Sequence, residues 1–423
     1  DFIGIEETGS AGGQITFAGS TITYTSPGIV AVDSFTYEIR DGDATAEGQL
    51  FVQNLSTGDP FFSPDDFGSG IRSIAVSPVD ETGTLRLASV SEMDGVLSIF
   101  TFAEDAYFEE PGESPNLALS TSSRQDVSLG DRPRSVTFSN DGRTIAVAAV
   151  GATNSEGVLG EGFIDVIEDG KQPRQIPADN GPIDVAVADV DGDGIDDFGS
   201  VNYRSGVVGY NRGADDAFVT VGMGSRPQKV RVGDIDGDGA LDIVVGNWGA
   251  AESSSPPMIQ VFLGDPARPD VFVESVEAPA PPRVVDLALV DRADGDGQEI
   301  IVASETGSVS AYSIVAGSLT SKQLFTTLGQ LRAVSATADT ISVVNWTDER
   351  FETYTRIGDS VHLEASGSIP SPVDLVHVPD PRFESQHILA VASYYDSFWP
   401  SADALPTSTS TPVSYTHLTL PTI

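Results

Sequence analysis

One phrase returns along most of this chain and limits what it can fold into. It opens with a small or proline-containing turn, runs on as an alternating strand, turns again and enters a second apolar strand. Copies open at "IRSIAVSP" (71), "PRSVTFSN" (133), "PIDVAVAD" (182), "PQKVRVGD" (227), "PRVVDLAL" (282), "QLRAVSAT" (330) and "PVDLVHVP" (372). Aligned on Ile74, Val136, Val185, Val230, Val285, Ala333 and Leu375, the gaps are 62, 49, 45, 55, 48 and 42 residues. The second strands are "LRLASV", "TIAVAAV", "DDFGSV", "LDIVVGN", "QEIIVAS", "TISVVNW" and "HILAVAS", and a third often follows, as in "MIQVFLG".

A period of about 40 to 50 residues with three or four short strands per unit is the signature of a β-propeller. One such sheet cannot bury both of its faces, so neighbours must stack, and closing the ring leaves only short protected edges. The sequence therefore predicts an all-β chain with a seven-bladed β-propeller over 71–402. An eight-bladed ring cut short and a six-bladed ring with one miscounted unit are the alternatives. Little helical patterning is present, and 43 glycines and 26 prolines suit frequent tight turns.

Residues 1–54 form a separate unit. "VDSFTYEIRDGDATAEGQLFVQNL" alternates, with Phe35, Tyr37 and Ile39 on one face, a turn at Asp41-Gly42, then Leu50 and Val52. This predicts a hairpin, and two strands need further partners to hold a core. The expectation is a truncated β-sandwich fragment. Its residues 21–54 resemble the terminal strands of cadherin-like or Ig-like repeats of large bacterial surface proteins. Residues 55–70 have linker composition, and 403–423 read as a disordered tail. "VSYTHLTLPTI" (413–423) resembles translated sequencing-adapter read-through, so His417 is given no functional weight. The chain opens at Asp1 with no signal-like segment and reads as a piece of something longer.

Two turns concentrate carboxylates. "DVDGDGIDD" begins at Asp189 and "DIDGDGALD" at Asp234. Asp189, Asp191 and Asp193 occupy loop positions 1, 3 and 5, Gly194 position 6, Ile195 position 7 and Asp197 position 9. Asp234, Asp236, Asp238, Gly239, Ala240 and Asp242 repeat the offsets. Three alternate carboxylates turn inward around one hard cation, the glycine permits the reversal, the carbonyl at 7 adds an oxygen, and the last carboxylate closes the shell. That is the ligand logic of a calcium loop, and its many protein oxygens favour calcium over magnesium. The competing reading is a solvated acidic turn held by Asx hydrogen bonds. Position 12 is Ser200 or Val245 and the flanks are strands, so neither loop is an EF-hand. A third, displaced copy at 289–304 offers Asp294, Asp296 and Glu299 as a further cation site.

These loops resemble the FG-GAP or VCBS-type repeat, the family that includes the propeller of integrin α subunits. The resemblance spans roughly residues 71–400 and rests mainly on the two loops. It implies calcium ligation by Asp189, Asp191, Asp193 and Asp197, and by Asp234, Asp236, Asp238 and Asp242. The family's Phe-Gly and Gly-Ala-Pro phrases are largely absent, which places the chain nearer bacterial members.

No catalytic motif stands out. His362, His377 and His387 lack ligand spacing, and there is no nucleophile elbow or phosphate loop. His377 alternates within "VDLVHVP" and reads as a buried or edge-strand residue. A different repeat follows the second strands: "SVNYR", "VVGNW", "SVVNW" and "VASYY" place Tyr203, Trp248, Trp346 and Tyr394 or Tyr395 at one blade position, on the face opposite the acidic turns. Such a rim suits a sugar or protein ligand; packing between blades is the competing reading. The insertions "TNSEGVLGEG" and "GAAESSSPP" add variable loops.

The balance of 63 acidic and 22 basic residues gives a net charge of -41, which opposes nucleic acid and anionic membrane and favours cations. With no cysteine, thiolate zinc sites and disulfides are excluded. The expectation is a non-catalytic, calcium-stabilised binding, adhesion or scaffold module, secreted or at the cell surface, with a protein or glycan partner. The alternative is a propeller-type polysaccharide lyase or hydrolase, or an accessory module of an enzyme whose catalytic domain lies elsewhere.

Overall fold

The computed structural model describes residues 70–102, 123–130, 132–151, 162–249, 256–358, 360–369, 371–379 and 387–394, together with strand backbone within 2–54. Every regular element among them is a strand. In the N-terminal unit Ala31–Asp41 pairs antiparallel with Ala44–Asn54, bringing Phe35 opposite Leu50 as the hairpin pattern predicts. Phe2–Ile5 joins the first of these, and Gln14–Ala18 pairs separately with Thr21–Thr25. The adapter-like residues 413–423 lie outside the described residues.

Six four-stranded antiparallel sheets follow, over 71–128, 133–177, 182–223, 227–279, 284–326 and 331–368. Each is a meander in sequence order, and they form a β-propeller. Among the described residues the complete blades number six, where the sequence predicts seven. The seventh unit contributes a two-stranded sheet, Pro372–Pro379 with His387–Ser393. That pair sits between the sixth and first blades, with Pro372–Pro379 against both of their inner strands. Ile71 and Ile74 of the first blade share an apolar cluster with Ala392, which closes the ring.

The second strand of each blade shows why the apolar runs do not alternate. Thr144–Ala149, Asp197–Asn202 and Asp242–Asn247 are buried at every residue. A strand covered on both faces by neighbouring sheets needs apolar residues on both. Val201, Val208 and Tyr210 of the third blade meet Val230, Ile243 and Val245 of the fourth. Val244 and Val261 of the fourth meet Leu287, Ile300 and Val302 of the fifth. Each fully buried Val or Ile is worth about 1.5–3 kcal/mol of transfer free energy.

A register shift recurs at the start of every inner strand: between Ile71 and Ser73, Pro133 and Ser135, Pro182 and Asp184, Pro227 and Lys229, Val284 and Asp286, Leu331 and Ala333, and Pro372 and Asp374. This bulge corrects the sequence alignment in two units. The residues equivalent to Val230 are Leu287 and Val334, not Val285 and Ala333. Pro282 lies ahead of the fifth inner strand rather than opening it.

The bulge aims the third residue at the next blade, where it accepts the backbone N–H of the fourth. Ser73 accepts from Val136, Ser135 from Val185, Asp184 from Val230, Asp286 from Val334 and Asp374 from Ile74. In the fourth blade this position is Lys229, which together with Arg231 supplies the cations of the central channel. Lys229 Nζ lies 3.9 Å from Asp184 and 3.5 Å from Asp286, and Arg231 donates to both at 3.0 Å. Burial pushes the Asp374 carboxyl up to about 6; Lys229 works against that rise and Asp286 adds to it.

Candidate metal centres and ligand rim

Each acidic turn joins the first two strands of its blade, at the end of the sheet where Ala188 pairs with Asp197 and Gly233 with Asp242. In the third blade, one oxygen from each of Asp189, Asp191 and Asp197 falls within 4.8 Å of the others; in the fourth, Asp234, Asp236 and Asp242 do the same. Gly194 and Gly239, with φ of 86° and 89°, occupy the left-handed region at position 6 and donate to the first aspartate of their loop at 3.0 and 3.1 Å. Asp193 and Asp238 accept from the Ile195 and Ala240 amides at 2.8 Å and stand outside the convergent sets.

The last carboxylate is the anchor. Asp197 accepts from Val190 and Asp191 on one oxygen and from Gly213 on the other. Asp242 repeats this with Ile235 and Gly264. Both are fully buried. Burial pushes Asp197 up to about 6 and Asp242 up to about 7, against the backbone donors and with help from Asp191 or Asp236. Asp191 and Asp236 are also raised, by burial and by the neighbouring Asp193 or Asp238. Asp189 Oδ1 is buried with no hydrogen-bond partner. Converging, mutually repelling carboxylates suit a hard cation in both clusters, and in the third blade alone an orphaned buried oxygen adds to the fit.

The third acidic turn is built differently. Asp294 pairs with Arg292 at 2.6 Å, and Glu299 turns to Arg356 of the sixth blade. Asp291 accepts from Gln298. Guanidinium groups stand where the sequence offered Asp294, Asp296 and Glu299 for a cation. The residue pattern conceals this, because Arg356 belongs to the next blade.

Two residues the sequence reading missed are Gly213 and Gly264. Besides donating to Asp197 and Asp242, each sits against main chain. A Cβ on Gly213 would lie 2.1 Å from the Asp196 carbonyl oxygen, and one on Gly264 would lie 2.6 Å from that of Leu241. The available signal was a glycine within two residues of the end of the third strand in both copies. Gly213→Ala and Gly264→Ala should each destabilise the protein by about 1–3 kcal/mol, measured by urea unfolding. An unchanged midpoint would show that the loops do not need this close approach.

The aromatic positions are structurally equivalent. Tyr203, Trp248, Trp346 and Tyr394 each donate their backbone N–H to the residue immediately before their own blade's inner strand: Gly181, Arg226, Gln330 and Ser371 respectively. Glu92, Val150 and Glu305 fill the same position in the other units. Each aromatic follows the second strand, whereas the acidic turn precedes it. Six residues of strand separate Asp242 from Trp248, roughly 20 Å, so rim and loops occupy opposite faces. All four aromatics are half-buried. Arg332 covers the Trp346 ring and Arg72 the Tyr394 ring, at 5.4 and 5.3 Å from the ring centroids. Tyr395, the insertions within 152–161 and 250–255, and the His387 side chain lie outside the described residues. His377 bonds through both ring nitrogens, to Ser335 and Ser342 of the sixth blade, which agrees with the strand-residue reading.

Fold and site together define a β-propeller with cation-suited turns in adjacent blades. The family model for the FG-GAP-like repeat matches residues 189–245, from the first acidic turn into the second strand of the fourth blade. The chain carries an FG-GAP-like repeat there. Hydrazine synthase of Kuenenia stuttgartiensis is similar in structure, with a TM-score of 0.53, 13% identity and coverage of 77% of this chain and 93% of that one. At that identity the likeness is one of fold alone. Comparison with curated proteins gives no match. Among the described residues no helix is long and apolar enough to cross a membrane.

Proposed function

We propose that this chain is a non-catalytic binding or scaffold module, stabilised by calcium and working outside the cell, whose ligand face is the rim opposite the acidic turns. The observation that carries the reading is the equivalence of Tyr203, Trp248, Trp346 and Tyr394 at one position of four units on one face. Half-buried aromatic rings offer flat apolar surface with polar edges, which suits sugar rings. Asp189, Asp191, Asp193 and Asp197, with the Ile195 carbonyl, would hold one calcium ion; Asp234, Asp236, Asp238 and Asp242, with the Ala240 carbonyl, would hold the other. The ions would fix the hairpin turns and leave the far face free. Extracellular calcium levels suit oxygen-ligand sites of modest affinity.

A glycan array with and without chelator tests this reading. The expected result is binding to a subset of glycans, weakened about tenfold or more by Trp248→Ala, in line with an interface aromatic worth ~2 kcal/mol. Binding unaffected by Trp248→Ala, Trp346→Ala and Tyr203→Ala would remove the rim from the account.

One observation favours the lyase or hydrolase alternative: Asp374, pushed up to about 6, shares the channel with Lys229. Depolymerisation of an acidic polysaccharide by the wild type and not by Asp374→Asn would establish it.

A further inference from the structure

We propose that Arg72, Arg132 and Arg134 form an oxyanion subsite on the rim, which takes the carboxylate or sulfate group of an acidic saccharide. The proposal rests on the rim being the ligand face and adds the chemical class of the ligand.

Glu92 occupies the rim position of the first blade, where four other units place an aromatic. Its carboxylate gathers three guanidinium groups: Arg72 Nε at 2.5 Å, Arg134 at 2.9 Å and Arg132 at 3.4 Å. Among the described residues, one negative charge thus faces three positive ones, in a chain whose net charge is -41. Glu92 is nearly covered, with 12% of its side chain exposed, while Arg72 and Arg132 keep 38% and 37% exposed and can reach a ligand. Arg134 Nε is buried without a hydrogen-bond partner. Burial lowers the Arg134 pKa; Glu92 opposes that shift, and Arg72 and Arg132 add to it. An oxyanion among the three would relieve this repulsion through charge-assisted hydrogen bonds.

The Tyr394 ring lies under Arg72, 5.3 Å from Cζ, so an aromatic face adjoins the charged groups. Guanidinium beside aromatic surface matches a sugar ring bearing an acidic group better than a bare ion. The net negative charge of the chain does not forbid this, because exposed charges beyond about 8 Å are screened at physiological salt. The two acidic turns lie on the opposite face.

The test titrates glucuronate, glucose 6-sulfate and glucose at constant ionic strength, following arginine Nε–H resonances by NMR. Glucuronate or glucose 6-sulfate should shift the Arg72, Arg132 and Arg134 signals and glucose should not; the stronger arm identifies carboxylate or sulfate. Arg132→Gly should weaken binding about fivefold. Since Arg132 has φ of 60°, glycine suits the backbone there and the variant should fold. Glu92→Gln should tighten binding about threefold by removing the competing carboxylate, a sign that a purely structural cluster would not give. No shift with either acidic sugar, or equal shifts in Arg132→Gly, would overturn the proposal. Tighter binding of a polyglutamate peptide than of either sugar would overturn the saccharide assignment. Neutral glycans that still bind the array in a Trp248-dependent way would then leave the rim standing without its oxyanion subsite.

Discussion

Calcium at about 100 times its dissociation constant should stabilise the protein against unfolding by ~5 kcal/mol over the value in EDTA, at about 2.7 kcal/mol per site. The physical reason lies in the acidic turns. Each gathers three carboxylates within 4.8 Å, and burial pushes Asp197 up to about 6 and Asp242 up to about 7. A cation that binds only the folded turn removes that repulsion and adds its binding free energy to folding. In the Asp191→Asn/Asp236→Asn double variant the calcium increment should vanish. The same variant in EDTA should be as stable as wild type or slightly more so, since neutralising Asp191 and Asp236 lowers charge density where both are already raised. Differential scanning calorimetry measures both arms. Identical melting of the wild type in calcium and EDTA would end the calcium account.

The second large effect is expected far from those turns. Arg231→Met should cost about 3–5 kcal/mol, because removing one partner of a buried ion pair leaves the other charge uncompensated. Asp184 and Asp286, which Arg231 bonds at 3.0 Å, are 2% and 3% exposed. Their remaining oxygens or lone pairs accept the Val230 and Val334 amides across blade junctions. Loss of the guanidinium therefore loosens two junctions as well as two ion pairs. Lys229 remains within 4 Å of both carboxylates, so Lys229→Met/Arg231→Met should be worse than either change alone. Adding Asp184→Asn and Asp286→Asn to the double variant should recover part of the loss. A urea midpoint shift equivalent to less than about 1 kcal/mol for Arg231→Met would show the network to be dispensable.

Much of the candidate site was legible because its determinants are local. Asp189 to Asp197 lie within one turn, and the copy at Asp234 repeats the offsets, so chemistry and spacing could be read together. The rim was legible as a repeated place after the second strand, and one backbone bond recurring in every unit gives that place its physical meaning. The third acidic turn misled for the opposite reason: Arg356, which answers Glu299, is 57 residues away. The anchors of the fifth and sixth units slipped because a bulge, not the visible proline, fixes the register.

By itself the sequence determined the all-β repeat, the stacking that repeat requires, and the two carboxylate turns, since alternation, period and loop offsets are properties of short segments. Only the tertiary structure decided that, among the described residues, six blades are complete and a two-stranded unit sits between the last and the first. It also decided that Ser73, Asp184, Lys229, Arg231, Asp286 and Asp374 line one channel, and that three arginines surround Glu92. Along the chain these residues look like the solvated face of separate strands. Closing the ring turns that face inward, and charges 45 to 145 residues apart become neighbours in a low-dielectric space where their pairing is strong.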